Sequence, residues 1–181
     1  LSSSSAASDV YKRQVHYLDL IRSFLGNPQR VYARTVKHPK FPQLASTRSS
    51  VILDYGDLIR CCLSINHCHP FGNKHAAATV RIEGTEGCAI ATLGVLMDYP
   101  RGQPDRLEVY PRSTGQWLEV PLGGGWFPDG FMGTMSNLQR FVAGEDVSLV
   151  SSVADAYETM RLVEICYTAD ERGGIPMETI L

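Results

Sequence analysis

The stretch AATVRIEGTEGCAIATL, Ala77 to Leu93, decides the fold class. Ala77–Glu83 and Cys88–Leu93 are rich in small and β-branched residues, and Gly84-Thr85-Glu86-Gly87 separates them. Two such runs around a short, glycine-bounded turn predict a β-hairpin. The pattern spreads outward in both directions. Upstream, Arg30–Lys37, Ser49–Tyr55 and Leu58–His67 read as strands, the last two joined by Gly56-Asp57. Downstream, Leu107–Tyr110 and Trp117–Val120 flank Ser113-Thr114-Gly115, a second hairpin. Parallel strands need a crossover of about a dozen residues or more, and these connections are shorter, so the sheet is expected to be antiparallel. Pro39 and Pro42 place a loop over His38–Thr47.

Helical spacing brackets the strands. Val15, Leu18 and Leu25 share one stripe, and Gly26 and Pro28 follow as a stop, so Val15–Leu25 is a predicted helix. Phe131, Met135, Leu138 and Val142 define a second, opened by Pro128 and Asp129 and closed by Gly144. A third runs from about Ser152 to Ala169, capped by Ser151 or Ser152, with Val153, Tyr157, Met160, Val163 and Tyr167 as its expected inner face. Gly173-Gly174 ends it, and Ile175–Leu181 reads as a last short strand. Helix, strands, two helices and an edge strand make an α+β layout: an open, mainly antiparallel sheet with helices packed on one face. In Leu58–His67 both alternating sets hold apolar members, which predicts that both sheet faces are covered, one of them by a partner subunit.

Composition bounds the function. With 44% hydrophobic and 20% charged residues, the 181-residue chain is globular rather than disordered. A net charge of -2 without a basic run argues against nucleic acid as a partner. No stretch reaches the roughly 20 apolar residues that span a bilayer, and no secretory leader is visible. Five cysteines without a CxxC pair fit a reducing compartment, so a cytoplasmic location is expected.

No GxGxxG and no GxxxxGK[ST] occurs; Gly123-Gly124-Gly125 leads into Trp126-Phe127-Pro128 and reads as a hinge. His67 and His69, two apart on a strand, share a face, and with Asn66 they could contact a polyol or sugar; further ligands for a metal are lacking. The cysteines read as small apolar fillers. His16 and Asp19 stand one helical turn apart, with Ser23 a turn further; a histidine beside a carboxylate near a helix N-terminus is a reasonable proton-transfer group.

From Val15 onward the chain resembles the C-terminal domain of the Gfo/Idh/MocA family of NAD(P)-dependent oxidoreductases. The likeness is carried, in the family's order, by VHYLDLIRSFLG (Val15–Gly26), VRIEGTEGCAIA (Val80–Ala91), NLQRFVAGED (Asn137–Asp146) and DAYETMRLVEICYTA (Asp155–Ala169). The resemblance implies a glyceraldehyde-3-phosphate dehydrogenase-like C-terminal domain that supplies the substrate pocket and an oligomer interface through its sheet. It implies sugars or polyols as substrates, and NAD or NADP held by an N-terminal Rossmann domain that this chain lacks. His16 falls on the family's catalytic histidine, in the pattern Asp-x-Gly-x-His. Lys12 and Gln14 stand where that pattern has Asp and Gly. They lie in LSSSSAASDVYKRQ, residues 1–14, a serine-rich prefix that resembles a translated adapter or a disordered tail.

The expected reading is therefore a fragment, residues 15–181, of a sugar or polyol oxidoreductase, with His16 catalytic and Asp19, Asn66, His67 and His69 toward substrate. The chain alone is expected neither to bind NAD tightly nor to turn over. Two alternatives stand beside it: a non-catalytic sheet domain for dimerisation or ligand binding, and an NAD-dependent glycosidase of the same family.

Overall fold

The computed structural model describes residues 15–37, 48–66, 77–94, 103–126 and 128–173. Its elements are α1 (Val15–Leu25), β1 (Arg30–Val36), β2 (Arg48–Asp54), β3 (Arg60–Asn66), β4 (Ala78–Gly84), β5 (Gly87–Leu93), β6 (Arg106–Pro111), β7 (Leu118–Val120), α2 (Asp129–Val142) and α3 (Val153–Arg172). The order is the expected α+β one. The prefix, the 38–47 loop and the final Ile175–Leu181 strand lie outside the described residues. The chain divides into two compact units, residues 1–69 with 151–181, and residues 70–150.

In the first unit β1, β2 and β3 form an antiparallel meander. Alternation along each strand sends one set of side chains inward, and the burial pattern of β2 shows it directly. Val51 and Leu53 face α1 and α3 and close a core with Leu18, Leu162, Val163 and Cys166. Each fully buried leucine contributes about 2 to 3 kcal/mol over an exposed one. Gly26, at φ 72°, ends α1, and its amide donates to the Arg22 carbonyl at 2.8 Å. Ser152 is the α3 cap, its hydroxyl accepting from the Asp155 amide at 3.1 Å.

Two expectations are corrected here. The buried stripe of α3 is Thr159, Leu162, Val163 and Cys166. Val153 and Tyr157 are exposed, and Val163 alone of the expected stripe is fully buried. The helix carries apolar residues on more than one side, and polar bonds to α1, described below, select the side that turns inward. The expected strand Leu58–His67 begins at Arg60, as β3; on the outward face of β1–β3 Tyr32, Ile52 and Cys62 are exposed in the single chain. Leu58 is 97% exposed because Asp57 and Leu58 belong to the turn, where the Asp54 carboxylate accepts from the Gly56 amide at 2.8 Å.

α3 also runs three residues past Ala169, and its last turn is tied to β1. Asp170 accepts from the Thr35 amide at 3.0 Å, from the Thr35 hydroxyl, and from Arg34 at 3.1 Å. Burial pushes the Asp170 carboxyl up, but the two Thr35 bonds and the Arg34 charge outweigh it and hold the group below the ordinary aspartate value. A carboxylate with a depressed folded value stabilises the fold at pH above its unfolded value. That stability is lost as pH falls through the folded value. Asp170→Asn is expected to cost about 1 to 2 kcal/mol at neutral pH. The gap to wild type should close in acid denaturation series below the ordinary aspartate range.

In the second unit β4–β5–β6–β7 are antiparallel in sequence order. Gly84 pairs with Gly87 across Thr85-Glu86, which confirms the hairpin. Gly87 has φ 152°, and a Cβ there would stand 2.1 Å from the Tyr110 carbonyl oxygen on β6, so only glycine lets β5 pair on both sides. One sheet face carries Val80, Ala91, Leu107 and Val120 in one row and Ile82, Ala89, Val109 and Leu118 in the next. The other face is polar, with Arg81 on Glu83 at 2.6 Å and Arg106 reaching Glu108 and Glu119. In α2 no residue is buried; Phe131, Met135 and Leu138 are exposed.

Candidate functional site

α1 places His16 on its first turn, exposed, and Asp19 one turn later. Asp19 is anchored. Its Oδ1 accepts from the Thr159 hydroxyl of α3 and lies 3.7 Å from Arg22 Nη1. Arg22, with its side chain 9% exposed, is the centre of a clamp between the two helices. Its guanidinium donates to the Asp155 carboxylate at 3.1 Å, to the Asp155 carbonyl at 3.2 Å, to Thr159 Oγ1 at 2.5 Å and to Asn27 Oδ1 at 2.8 Å. Asn27 in turn donates to Glu158 at 3.1 Å. A planar fork with several donors suits such a junction.

These partners set the direction of α1. Arg22 meets Asp155 and Asp19 meets Thr159, so the two helices run antiparallel. α3 follows β1, from a cleft of about 120 Å³ lined by Asn27, Val31, Glu158 and Leu162 to Asp170 at Thr35. The first turn of α1 therefore points toward the sheet end formed by Val36, Arg48 and Asn66. Asn66, the last residue of β3, is exposed there, opposite Arg48. His16, Asp19 and Asn66 thus belong to one unit, with His16 and Asp19 on one helix. His67 and His69 lie outside the described residues.

Sequence reading passed over Arg22, Asp155 and Thr159. The visible signal was a basic residue three after Asp19; the partners on α3 are more than 130 positions away. Arg22→Met removes the fork but leaves Asp19 and Asp155 half exposed and hydrated. The expected loss in urea unfolding is about 2 kcal/mol, less than for carboxylates left stranded in a dry interior.

Other chemistry finds no footing in the described residues. Burial pushes the Cys166 thiol up to about 12, and burial, with Cys62 beside it, raises Cys61; a nucleophilic thiol needs the opposite shift. Among the described residues no group of three or more His, Cys, Asp or Glu could hold a metal ion. None of the described helices is long and apolar enough to cross a membrane. The Asp129 carboxylate accepts from the Gly125 amide at 2.6 Å and stands against Gly124, so the α2 entry carries its own anion where a phosphate would sit.

Comparison with known proteins agrees with this arrangement. The sequence model of the oxidoreductase family's C-terminal alpha/beta domain matches residues 10–179. The chain belongs to the Gfo/Idh/MocA oxidoreductase family. No curated protein matches it in sequence. Among solved structures, an oxidoreductase from Agrobacterium radiobacter in complex with NAD+, L-tartaric acid and magnesium superposes with TM-score 0.67 at 20% identity, over 95% of this chain and 50% of that one. The WlbA dehydrogenase from Bordetella pertussis, in complex with NADH and UDP-GlcNAcA, gives TM-score 0.63 at 13% identity, over 93% of this chain and 45% of that one. An oxidoreductase from Bacillus cereus gives TM-score 0.60 at 15% identity, over 92% of this chain and 59% of that one. At these identities the likeness is one of fold. This Gfo/Idh/MocA C-terminal domain spans about half the length of each of them.

Proposed function

We propose that this domain is the substrate half of an oxidoreductase acting on a hydroxyl of a sugar or polyol, with His16 accepting the hydroxyl proton. The observation that carries the reading is the exposed His16 at the head of a helix whose next turn is clamped to α3 through Asp19 and Arg22. An accessible imidazole on a fixed helix can hold a proton-transfer geometry that a mobile loop cannot. NAD or NADP supplies hydride transfer in this reading. A dinucleotide-binding domain in the remaining half of the full-length protein holds it. Asp19, Asn66, His67 and His69 complete the polyol contacts, Asp19 with the carboxylate edge that Thr159 and Arg22 leave exposed.

We further infer a homo-oligomer through the apolar face of β4–β7. Ile82 and Leu118, on the two edge strands at either end of one row of that face, are each 45% exposed, and Ala89 and Val109 join them across it. The same exposure favours the second reading, a non-catalytic dimerisation domain. A cytoplasmic setting fits the unpaired Cys61, Cys62, Cys88 and Cys166.

The test is a nitrogen-15 NMR titration of the chain with a panel of sugars and cyclic polyols. Shifts at His16, Asp19 and Asn66 are expected. Saturable shifts confined to β4–β7, or none with any polyol, would refute the substrate role and leave the dimerisation reading. In isothermal titration the chain alone should show no micromolar affinity for NAD or NADP.

A further inference from the structure

Thr159 carries the one hydroxyl in the buried stripe of α3, 3% exposed beside Leu162, Val163 and Cys166. Valine has the same shape and would pack there with no polar group to satisfy. What distinguishes threonine is the pair of bonds its oxygen makes. A guanidinium can only donate, so the Thr159 oxygen accepts from Arg22 Nη1. Its single proton then goes to one acceptor. Asp19 Oδ1 takes it; the other oxygen within reach, the Asp155 carbonyl, is 3.5 Å away. The Arg22 charge polarises the hydroxyl and strengthens that donation. Arg22 is held without Thr159, by Asp155 and Asn27. Asp19 is not. Among the described residues its partners are Thr159 and, at 3.7 Å, Arg22, and both meet Oδ1. The side chain is 50% exposed, on the helix face that carries His16 one turn earlier.

We propose that Thr159 is a positioning residue. It bonds one oxygen of Asp19 so that the other is presented, in one orientation, to a second hydroxyl of the polyol whose first hydroxyl His16 deprotonates. The role rests on the polyol reading of His16 and Asp19. An exposed carboxylate without such an anchor samples several rotamers, and a substrate hydroxyl would have to order it at a cost in affinity. Thr159 meets that cost during folding, from inside the core and out of reach of substrate.

The experiment is nuclear magnetic resonance of the 181-residue chain with the panel of sugars and cyclic polyols, D-glucose and myo-inositol included. Three-bond couplings to the Asp19 β protons report its rotamer, and amide shifts at His16 and Asn66 report binding. Wild type should show one Asp19 rotamer. Thr159→Val should show averaging, and should bind whichever probe wild type binds about tenfold more weakly. Thr159→Ser keeps the hydroxyl and should restore both. Val163→Ala, on the same stripe, loosens the packing of α3 but makes no bond to Asp19, and should leave rotamer and affinity as in wild type. Circular dichroism reports whether each variant keeps its fold. If wild type binds and Thr159→Val binds equally well, or keeps Asp19 in one rotamer, the positioning role is overturned and the polyol reading stands. Equal weakening by Val163→Ala would make Thr159 a packing residue only. No saturable shift in wild type with any probe would overturn the polyol reading, and the substrate-facing role of Thr159 with it, whatever the Asp19 rotamer.

Discussion

Leu53→Ala is expected to lose about 3 to 5 kcal/mol in urea or thermal unfolding, the largest stability effect of any single truncation in the first unit. Leu53 is fully buried. It sits on the central strand, registered against Val31 and Cys61, and faces Leu18, Leu162 and Val163. Two helices and two neighbouring strands hold the walls of the space it would vacate, so the site cannot collapse cheaply and the cavity term adds to the lost transfer energy. Small domains are stable by about 5 to 15 kcal/mol in all, so this one change removes a large share. The control is Val153→Ala. Val153 is 88% exposed, and its truncation should cost about 0.5 kcal/mol or less. Equal losses at the two positions would mean that α3 packs through the stripe its apolar spacing first suggests.

The second large effect is on chemistry. Joined to a dinucleotide-binding domain, the chain with His16→Gln is expected to lose about 10²- to 10⁴-fold in kcat, the range for removal of a general base. Glutamine keeps hydrogen-bonding capacity and similar bulk but cannot accept the proton at neutral pH. His16 is exposed and outside the core, so unfolding midpoints should stay within about 0.5 kcal/mol of wild type. KM should change little if the residue acts in the transition state and not in uniform binding. A loss confined to KM would make His16 a substrate contact only. Asp19→Asn is a useful companion, because Thr159 and Arg22 hold that carboxylate whether or not substrate is present.

The sheet was legible because alternation and turn chemistry are local. Gly84 and Gly87 bracket a two-residue turn, and the strands on either side follow at once. Helix boundaries were legible for the same reason: Gly26, Ser152 and Gly173 act within one turn of the helices they end or begin. The orientation of α3 was not. Val153, Tyr157 and Met160 form as regular an apolar series as Leu162, Val163 and Cys166. What separates them is a bond between Arg22 and Thr159, 137 positions apart. The start of β3 was likewise hidden, because Leu58 and Ile59 look as apolar in a sequence as Cys61 and Leu63 do. His16 and Asp19 were legible as a pair by spacing alone. Their anchoring was not, since it depends on side chains of α3.

The central claim is that this family member works on a sugar or polyol hydroxyl. It is tested most directly by polyol-dependent formation of NADH or NADPH by the chain joined to a dinucleotide-binding domain, followed by nicotinamide fluorescence. The account predicts saturable reduction with at least one sugar or cyclic polyol, falling about a hundredfold or more with His16→Gln. Cofactor reduction that proceeds at the same rate with His16 replaced, or a folded joined protein that reduces cofactor with none of these substrates, would contradict it.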